Sequence, residues 1–450
     1  MALKQMDALA ALREAAGEVI EASLCEIQGG WLALVRTQDG KRLAFAAKGE
    51  AALSALWKDV EKEADVKDVH VAVMALNANN AALVRRYVKW TAPTACGTKG
   101  ASIGFSDWLG EADAVVAELF SKRQLKPVLV DFTTEDSEAL QRYFVQAVDT
   151  ATWGVLEEGY KEGYGANAAG LKTEEEIVKA LLYGYSMIGF DCCDKIDLGI
   201  EKLSDEAVDK RFEQFNETFR AALHASYLNA EFKVGSSKIT FTENQLHRIV
   251  LEYGEAIMHI QFIYNSYLKN TPWDIDFELD LSKPGKVLTP QEHYLIGNEL
   301  QRNGIKLTAI CLDPLKDAEA VNDNLQLHCE IADTFGYRLS FKNADIAMED
   351  TAAAMKYLKG KVHFKMNNIL WLSAIELVKA LDADLFGKLC AACGCEATAD
   401  AADRALVLGY RKALNPKEDG NVVVAMKAFL EAHHAEYAAA IKENVAAKLK

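Results

Sequence analysis

Residues 152–197, TWGVLEEGYKEGYGANAAGLKTEEEIVKALLYGYSMIGFDCCDKID, decide the fold. An aromatic, glycine-rich turn (Gly159, Tyr160, Gly163, Tyr164, Gly165) leads into Lys172-Thr173-Glu174-Glu175-Glu176. A helical pattern follows, and then a short apolar run, SMIGFD (186–191), whose C-terminal side carries Asp191, Asp194 and Asp197. A helix that returns the chain to a buried strand ending in ionisable residues is the unit of a parallel α/β fold, in which working groups stand at the C-terminal ends of strands.

The same rhythm extends outward from this stretch. Strand-like runs occur at 69–76, 101–105, 127–132, 186–191, 274–281, 305–312, 337–343 and 361–366, most of them too short for helices and bounded by Gly, Pro, Asn or Asp. Periodic helical stretches separate them, such as TPQEHYLIGNELQRNG, where Thr289 is an N-cap and Pro290 takes the first helical position. About eight rounds of strand and helix predict an α/β (β/α)8 TIM-like barrel. Three consecutive blocks are expected. Residues 1–65 form an N-terminal helix and hairpin extension, with Asp39-Gly40 as its tight turn; residues 66–380 form the barrel; residues 381–450 form an alanine-rich helical region.

Composition narrows the function classes. Fifty Lys and Arg against 66 Asp and Glu give a formal net charge of −16, which opposes binding to nucleic acid or an anionic membrane. No long apolar run marks a membrane span, and the N-terminal stretch lacks a signal-peptide pattern. The nine cysteines are scattered or adjacent, as in a reducing compartment, so a cytoplasmic location is expected. Cys390 and Cys393 have C-x-x-C spacing but no second pair, and are read as small buried residues.

Strand ends supply the candidate chemistry: Asp107, Asp131, Asp191 with Asp194, Asp280, Asp313, Lys342, Asp345, and His363 with Lys365. So many ionisable groups at strand ends favour a polar pocket over a packed core. The three acids after residue 190 suit oxygen coordination of Mg²⁺ or Mn²⁺ as well as turn closure. Lys342 and Lys365 suit a substrate carboxylate or carbonyl, or an ion pair with a neighbouring acid. His363 and Lys365 share one strand face, and His363 suits a general base or a hydrogen-bonded core histidine. His293 lies in the first turns of its helix, and His247 and His259 belong to an apolar-faced helix and read as packing residues.

The stretch 152–197, together with VRRYVKWTAPTACGTKGASIGFSDWLGEAD (84–113), LTPQEHYLIGNELQRNGIKL (288–307) and KGKVHFKMNNILWLSAIELVKAL, resembles the tagaturonate epimerase family over roughly residues 80–380. The resemblance implies a metal-dependent barrel that interconverts tagaturonate and fructuronate. It also implies histidines that this chain lacks: Gly170, Lys195 and Lys342 stand in their places. Trp108 stands for an Arg, and Leu279-Asp280-Leu281 for an acidic pair. Neutral imidazole ligates a metal and ammonium repels one, so no metal cofactor is expected. The expected catalytic residues are Asp191, Asp194, Lys195, Lys342 and His363. Asp107, Lys172, Glu175, Asp280, His293 and Lys365 are expected to bind a small-molecule sugar acid. Two functions are open, an epimerase or isomerase of keto-hexuronates that uses lysines in place of the metal, and an inactive paralogue that binds a sugar acid or a protein. A metal enzyme with ligands recruited from Asp191, Asp194, Asp280 and His363 is the third reading.

Overall fold

A computed structural model describes residues 3–49, 56–123, 125–281, 288–314, 318–348 and 359–449. The chain groups into two compact units, one of residues 1–94, 106–166 and 369–450, the other of residues 95–105 and 167–368. These units interleave along the sequence.

The first unit opens with a five-stranded antiparallel sheet: β1 (Glu18–Ile27), β2 (Gly30–Thr37), β3 (Gly40–Lys48), β4 (Val60–Val66) and β5 (Val69–Met74), ordered β1-β2-β3-β5-β4. The Asp39-Gly40 turn sets the β2–β3 register, with Thr37 opposite Gly40. Both faces are covered. Ala33 and Val35 lie with Ala8, Leu12 and Ala15 of the helix Gln5–Ala16, while Leu32 and Leu34 lie with Trp57, Val84 and Leu156. The helix Phe144–Glu158 ends at Gly159. Its φ of +60° favours glycine, and a side chain has no room there, since a Cβ would stand 2.4 Å from the Ala22 carbonyl oxygen. The C-terminal helices belong to this unit as well, and Tyr437 in the last of them donates to the Leu370 carbonyl at 3.1 Å.

Eight strands close a barrel in chain order: β6 (Ser102–Phe105), β7 (Lys126–Thr133), β8 (Gly165–Leu171), β9 (Met187–Asp191), then, past a small hairpin of β10 (Phe232–Val234) and β11 (Ser237–Ile239), β12 (Asp276–Asp280), β13 (Ala309–Leu312), β14 (Arg338–Phe341) and β15 (Val362–Met366). Pairing is parallel, and β15 meets β6 with Lys365 opposite Gly104. The expected count of eight holds with one change of member. The run at 69–76 is β5 of the antiparallel sheet, and its place in the barrel is taken by Gly165–Leu171, which continues a glycine-rich turn in the sequence and has no strand pattern there. GANAAGL lacks the β-branched residues that mark a strand. Its neighbour explains the composition: a Cβ on Gly189 of β9 would lie 3.0 Å from Ala169 Cα and 3.1 Å from Asn167 Oδ1, so small residues are required on both strands.

Candidate active site

Strand β12 organises the barrel interior of the second unit. Two-residue alternation puts Asp276, Glu278 and Asp280 on one face, and all three are buried. Each acid has its own partner. Asp276 accepts backbone N–H groups of Cys96 at 2.6 Å and Gly97 at 2.9 Å. Glu278 Oε1 lies 2.5 Å from Lys365 Nζ, with both side chains almost wholly buried at 2% and 3% exposure. At the C-terminal end, Asp280 accepts from Lys342 Nζ. The three layers thus run from a loop clamp, through a closed ion pair, to a pair at the barrel mouth.

Lys342 follows β14 and its N–H bonds the Leu312 carbonyl at 2.9 Å, which holds the residue against β13. Burial alone would lower its pKa; the charge and hydrogen bond of Asp280, with a smaller contribution from Asp313, reverse this and hold it well above the ordinary lysine value. Asp280 is in register with Asp191 of β9 and Cys311 of β13. Asp191 accepts the Cys193 N–H at 2.9 Å and lies 3.7 Å from Lys172 Nζ, which also donates to Asp194 at 3.0 Å. The hydrogen bond to Asp194, with help from Asp191, raises the Lys172 pKa against the opposing effect of burial. Burial, then the Asp280 and Asp191 charges, push the Cys193 thiol far up, and burial does the same to Cys311, so both thiols are neutral. Residues 282–287, 315–317 and 349–358, which follow β12, β13 and β14 in the sequence, lie outside the described residues.

Several of the expected site residues stand elsewhere. Lys195 is on the surface, paired with Glu255 at 2.8 Å, because a short 3-10 turn (Cys193–Lys195) carries it away from the strand end. Glu175 is exposed and pairs with Lys179 one turn along its own helix at 2.6 Å. His293 is sealed between Tyr337, whose hydroxyl is 2.7 Å from Nε2, and His328, 2.8 Å from Nδ1. Burial depresses both histidines, His293 well below its ordinary value and His328 to about 4. His363 is buried one layer below Lys365, with Nδ1 2.9 Å from Ser102 Oγ, which also accepts from Arg338 Nη1 at 2.9 Å. The β14–β15–β6 register, with His363 level with Ser340 and Ser102, fixes that depth. Asp107 belongs to the other unit, where its carboxylate accepts the N–H groups of Gly110, Ala112 and Asp113 at 2.8, 2.7 and 3.2 Å and so closes the loop after β6. Trp108 beside it stacks on Tyr410 at 3.3 Å.

The structure brings together Asp191, Asp194 and Lys172 in one group and Asp280 with Lys342 in another, joined by the β9–β12 register. Sequence reasoning missed Glu278 and Asp276. The alternation of acids in DIDFELD was the signal that could have found them, since charge repeated on one strand face is unusual unless it is paired.

The sequence profile of one family, described as tagaturonate epimerase, matches residues 20–408. The chain belongs to the tagaturonate epimerase family. It is similar to the tagaturonate/fructuronate epimerase of Thermotoga maritima, 27% identical over 383 residues that cover 83% of this chain and 78% of that one. The native crystal structure of fructuronate-tagaturonate epimerase from Cohnella laeviribosi superposes with a TM-score of 0.85 at 25% identity, over 99% of both chains. A glycerol complex of the same enzyme gives 0.86 at 24% identity, over 96% of both. Within this tagaturonate epimerase scaffold, none of the three positions at which the resemblance implies histidine carries an imidazole. Gly170 has a φ of +72° at a register shift between β8 and β9, Lys195 faces outward, and Lys342 bonds the acid of the mouth.

Proposed function

We propose that this member of the tagaturonate epimerase family interconverts keto-hexuronates such as tagaturonate and fructuronate at the mouth of the second unit's strands, without a metal there. The Lys342–Asp280 pair carries the reading. A divalent metal beside Asp280 would share that acid with an ammonium group, and such a donor set does not fit a cation. Lys342, held cationic, is suited to stabilise negative charge on an oxygen of the substrate. Its partner Asp280, or Asp191 beside it, is suited to hold a proton during inversion of a carbon centre. Lys172, half exposed and raised in pKa, is suited to the substrate's carboxylate. Lys365 and Glu278 lie one layer deeper and set the charge beneath the site.

The activities of the relatives support the substrate class. The test is conversion of tagaturonate followed by NMR, with and without EDTA. Unchanged turnover with EDTA is expected, together with a loss of at least about 100-fold in Lys342→Met. Loss of turnover on adding EDTA contradicts the metal-free reading. One observation favours a second reading, an inactive sugar-acid-binding paralogue: the described ammonium groups of the mouth, Lys172 and Lys342, each pair with an acid of this chain. Tagaturonate left unconverted overnight, with the sugar acid still raising the melting temperature, would establish that reading in place of the first.

A further inference from the structure

The segment between β9 and β12 contains three helices, Asp205–Phe212, Glu217–Tyr227 and Glu243–Ile263. His224 from the second faces His247 and Glu243 from the third, and one ligand atom from each lies within 4.8 Å of the others. Glu243 and His247 are four residues apart, so they share one side of their helix. The two Nε2 atoms are 2.8 Å apart. In a tetrahedral zinc site, two nitrogens at ~2.05 Å from the metal stand about 3.3 Å from each other. An opening of roughly half an ångström therefore converts this pair into two ligands.

The surroundings match a metal site in three further ways. The other ring nitrogen of His247, Nδ1, lies 2.7 Å from Asp209 Oδ1, so Nδ1 carries the hydrogen and Nε2 presents its lone pair to His224 and Glu243. This carboxylate–histidine arrangement is the support that orients a ligating imidazole. Phe212 stacks on His247 at 3.8 Å and 14° and lies parallel to His224 at 5.6 Å and 8°, which fixes both ring planes. His247 is buried, His224 half-buried and Glu243 exposed, so the group opens to solvent on one side and leaves room for a water ligand. Two neutral imidazoles and one carboxylate are a ligand set suited to Zn²⁺.

We propose that His224, His247 and Glu243 form a site for one divalent transition-metal ion of the Zn²⁺ class, oriented by Asp209 and separate from the strand-end acids of the barrel. The ion would tie the second helix of this segment to the third. His224 takes the tautomer with hydrogen on Nδ1 when the ion is bound; without it, the two rings share one N–H···N hydrogen bond.

The test uses the full chain, stripped of metal with a chelator and titrated with Zn²⁺ against a fluorescent competitor, and separately with Co²⁺ to record the visible bands of a four-coordinate ion. Expected are one equivalent bound at micromolar Kd or tighter, visible Co²⁺ bands, and a Zn²⁺-dependent rise in melting temperature. His224→Gln should lose that equivalent and the bands, Glu243→Gln should bind at least about tenfold more weakly, and Asp209→Asn roughly 10- to 100-fold more weakly. Circular dichroism of the metal-free variants checks the fold; Glu243 is exposed, so its variant carries the result if His224→Gln does not fold. Absence of Zn²⁺ binding by the wild-type chain at roughly 10 to 50 µM, or equal stoichiometry and affinity in wild type and Glu243→Gln, overturns the proposal and leaves the histidines as a hydrogen-bonded pair.

Discussion

The pair Glu278–Lys365 allows a quantitative test of how the barrel interior is held. Both groups are almost wholly buried and 2.5 Å apart, and Glu278 Oε2 has no hydrogen-bond partner among the described residues. Lys365→Met therefore leaves a buried carboxylate without the ammonium beside it, and Glu278→Met removes the carboxylate 2.5 Å from the Lys365 ammonium. Removing one member of a buried pair costs about 3–5 kcal/mol, whereas replacing both by apolar groups of similar volume is often close to neutral. Matched methionines give the double variant. At ~2.1 cal/mol/K per residue, cooperative unfolding of all 450 residues converts each single loss into a drop of roughly 3–5 °C in melting temperature. If the second unit melts by itself, its size gives ~2–4 °C per kcal/mol and a drop of roughly 6–20 °C. Differential scanning calorimetry of wild type, both singles and the double separates these cases. The double should recover most of the loss, to within about 2 kcal/mol of wild type. Singles within about 1 °C of wild type, or a double as low as the sum of the singles, would refute the idea that the pair is a desolvated unit. Turnover by the double variant then shows whether Lys365 acts on substrate or only supports the layer above.

Four further outcomes are expected. Lys195→Ala should keep turnover and melting temperature within error of wild type, since its ammonium pairs with Glu255 on the surface; a tenfold loss of kcat would return Lys195 to the active site. Acid should destabilise the chain through His293 and His328. Their folded pKa values lie below the unfolded value of ~6.5, so the unfolded state binds more protons and the stability present above pH ~6.5 is lost as pH falls towards 4. For His328, with a folded value of about 4, that loss is about 2 kcal/mol at pH ~5, and His328→Gln should reduce the fall in melting temperature between pH ~6.5 and ~4.5. Gly297→Ala should cost about 1–3 kcal/mol by overpacking, because its Cβ would stand 2.7 Å from Phe335 Cδ2 and 2.9 Å from the Tyr337 hydroxyl; an unchanged melting temperature counts against that contact. Lys172→Met should raise KM for a keto-hexuronate more than it lowers kcat, as expected of a group that binds the carboxylate equally in ground and transition states; a pure kcat loss would assign it to the chemistry instead.

Local properties made much of this protein legible from sequence. The helix Pro290–Arg302 begins at Thr289 with a capping box to Glu292, as a Thr-Pro start with an acid three residues on requires. Short apolar runs that end in Asp point to the barrel class and the number of strands, because a buried strand and the polar group at its exit are both written in a few consecutive residues. The family followed from motifs spread over most of the chain. Alternation along DIDFELD is enough to put its acids on one face, although Asp280 alone among them stands where a strand end draws attention.

Other features depended on contacts between distant residues. GANAAGL becomes recognisable as a strand only where Gly189 of the neighbouring strand requires small side chains. The run at 69–76 has the composition of a barrel strand, but its hydrogen bonds go to β3 and β4. Lys195, Lys342 and Lys365 look alike in sequence, and tertiary structure alone sends the first to a surface glutamate, the second to the acid at the barrel mouth and the third to a sealed pair beneath it. His363 is level with Ser102 and Ser340 rather than with the mouth because of the register of three strands far apart in the chain. Sequence determines which side chains are charged and which face of an element they share. Depth in the barrel and choice of counter-ion are set by register across strands up to 261 residues apart, as for Ser102 and His363, because burial makes an unpaired charge costly and only the folded chain brings its partner within reach.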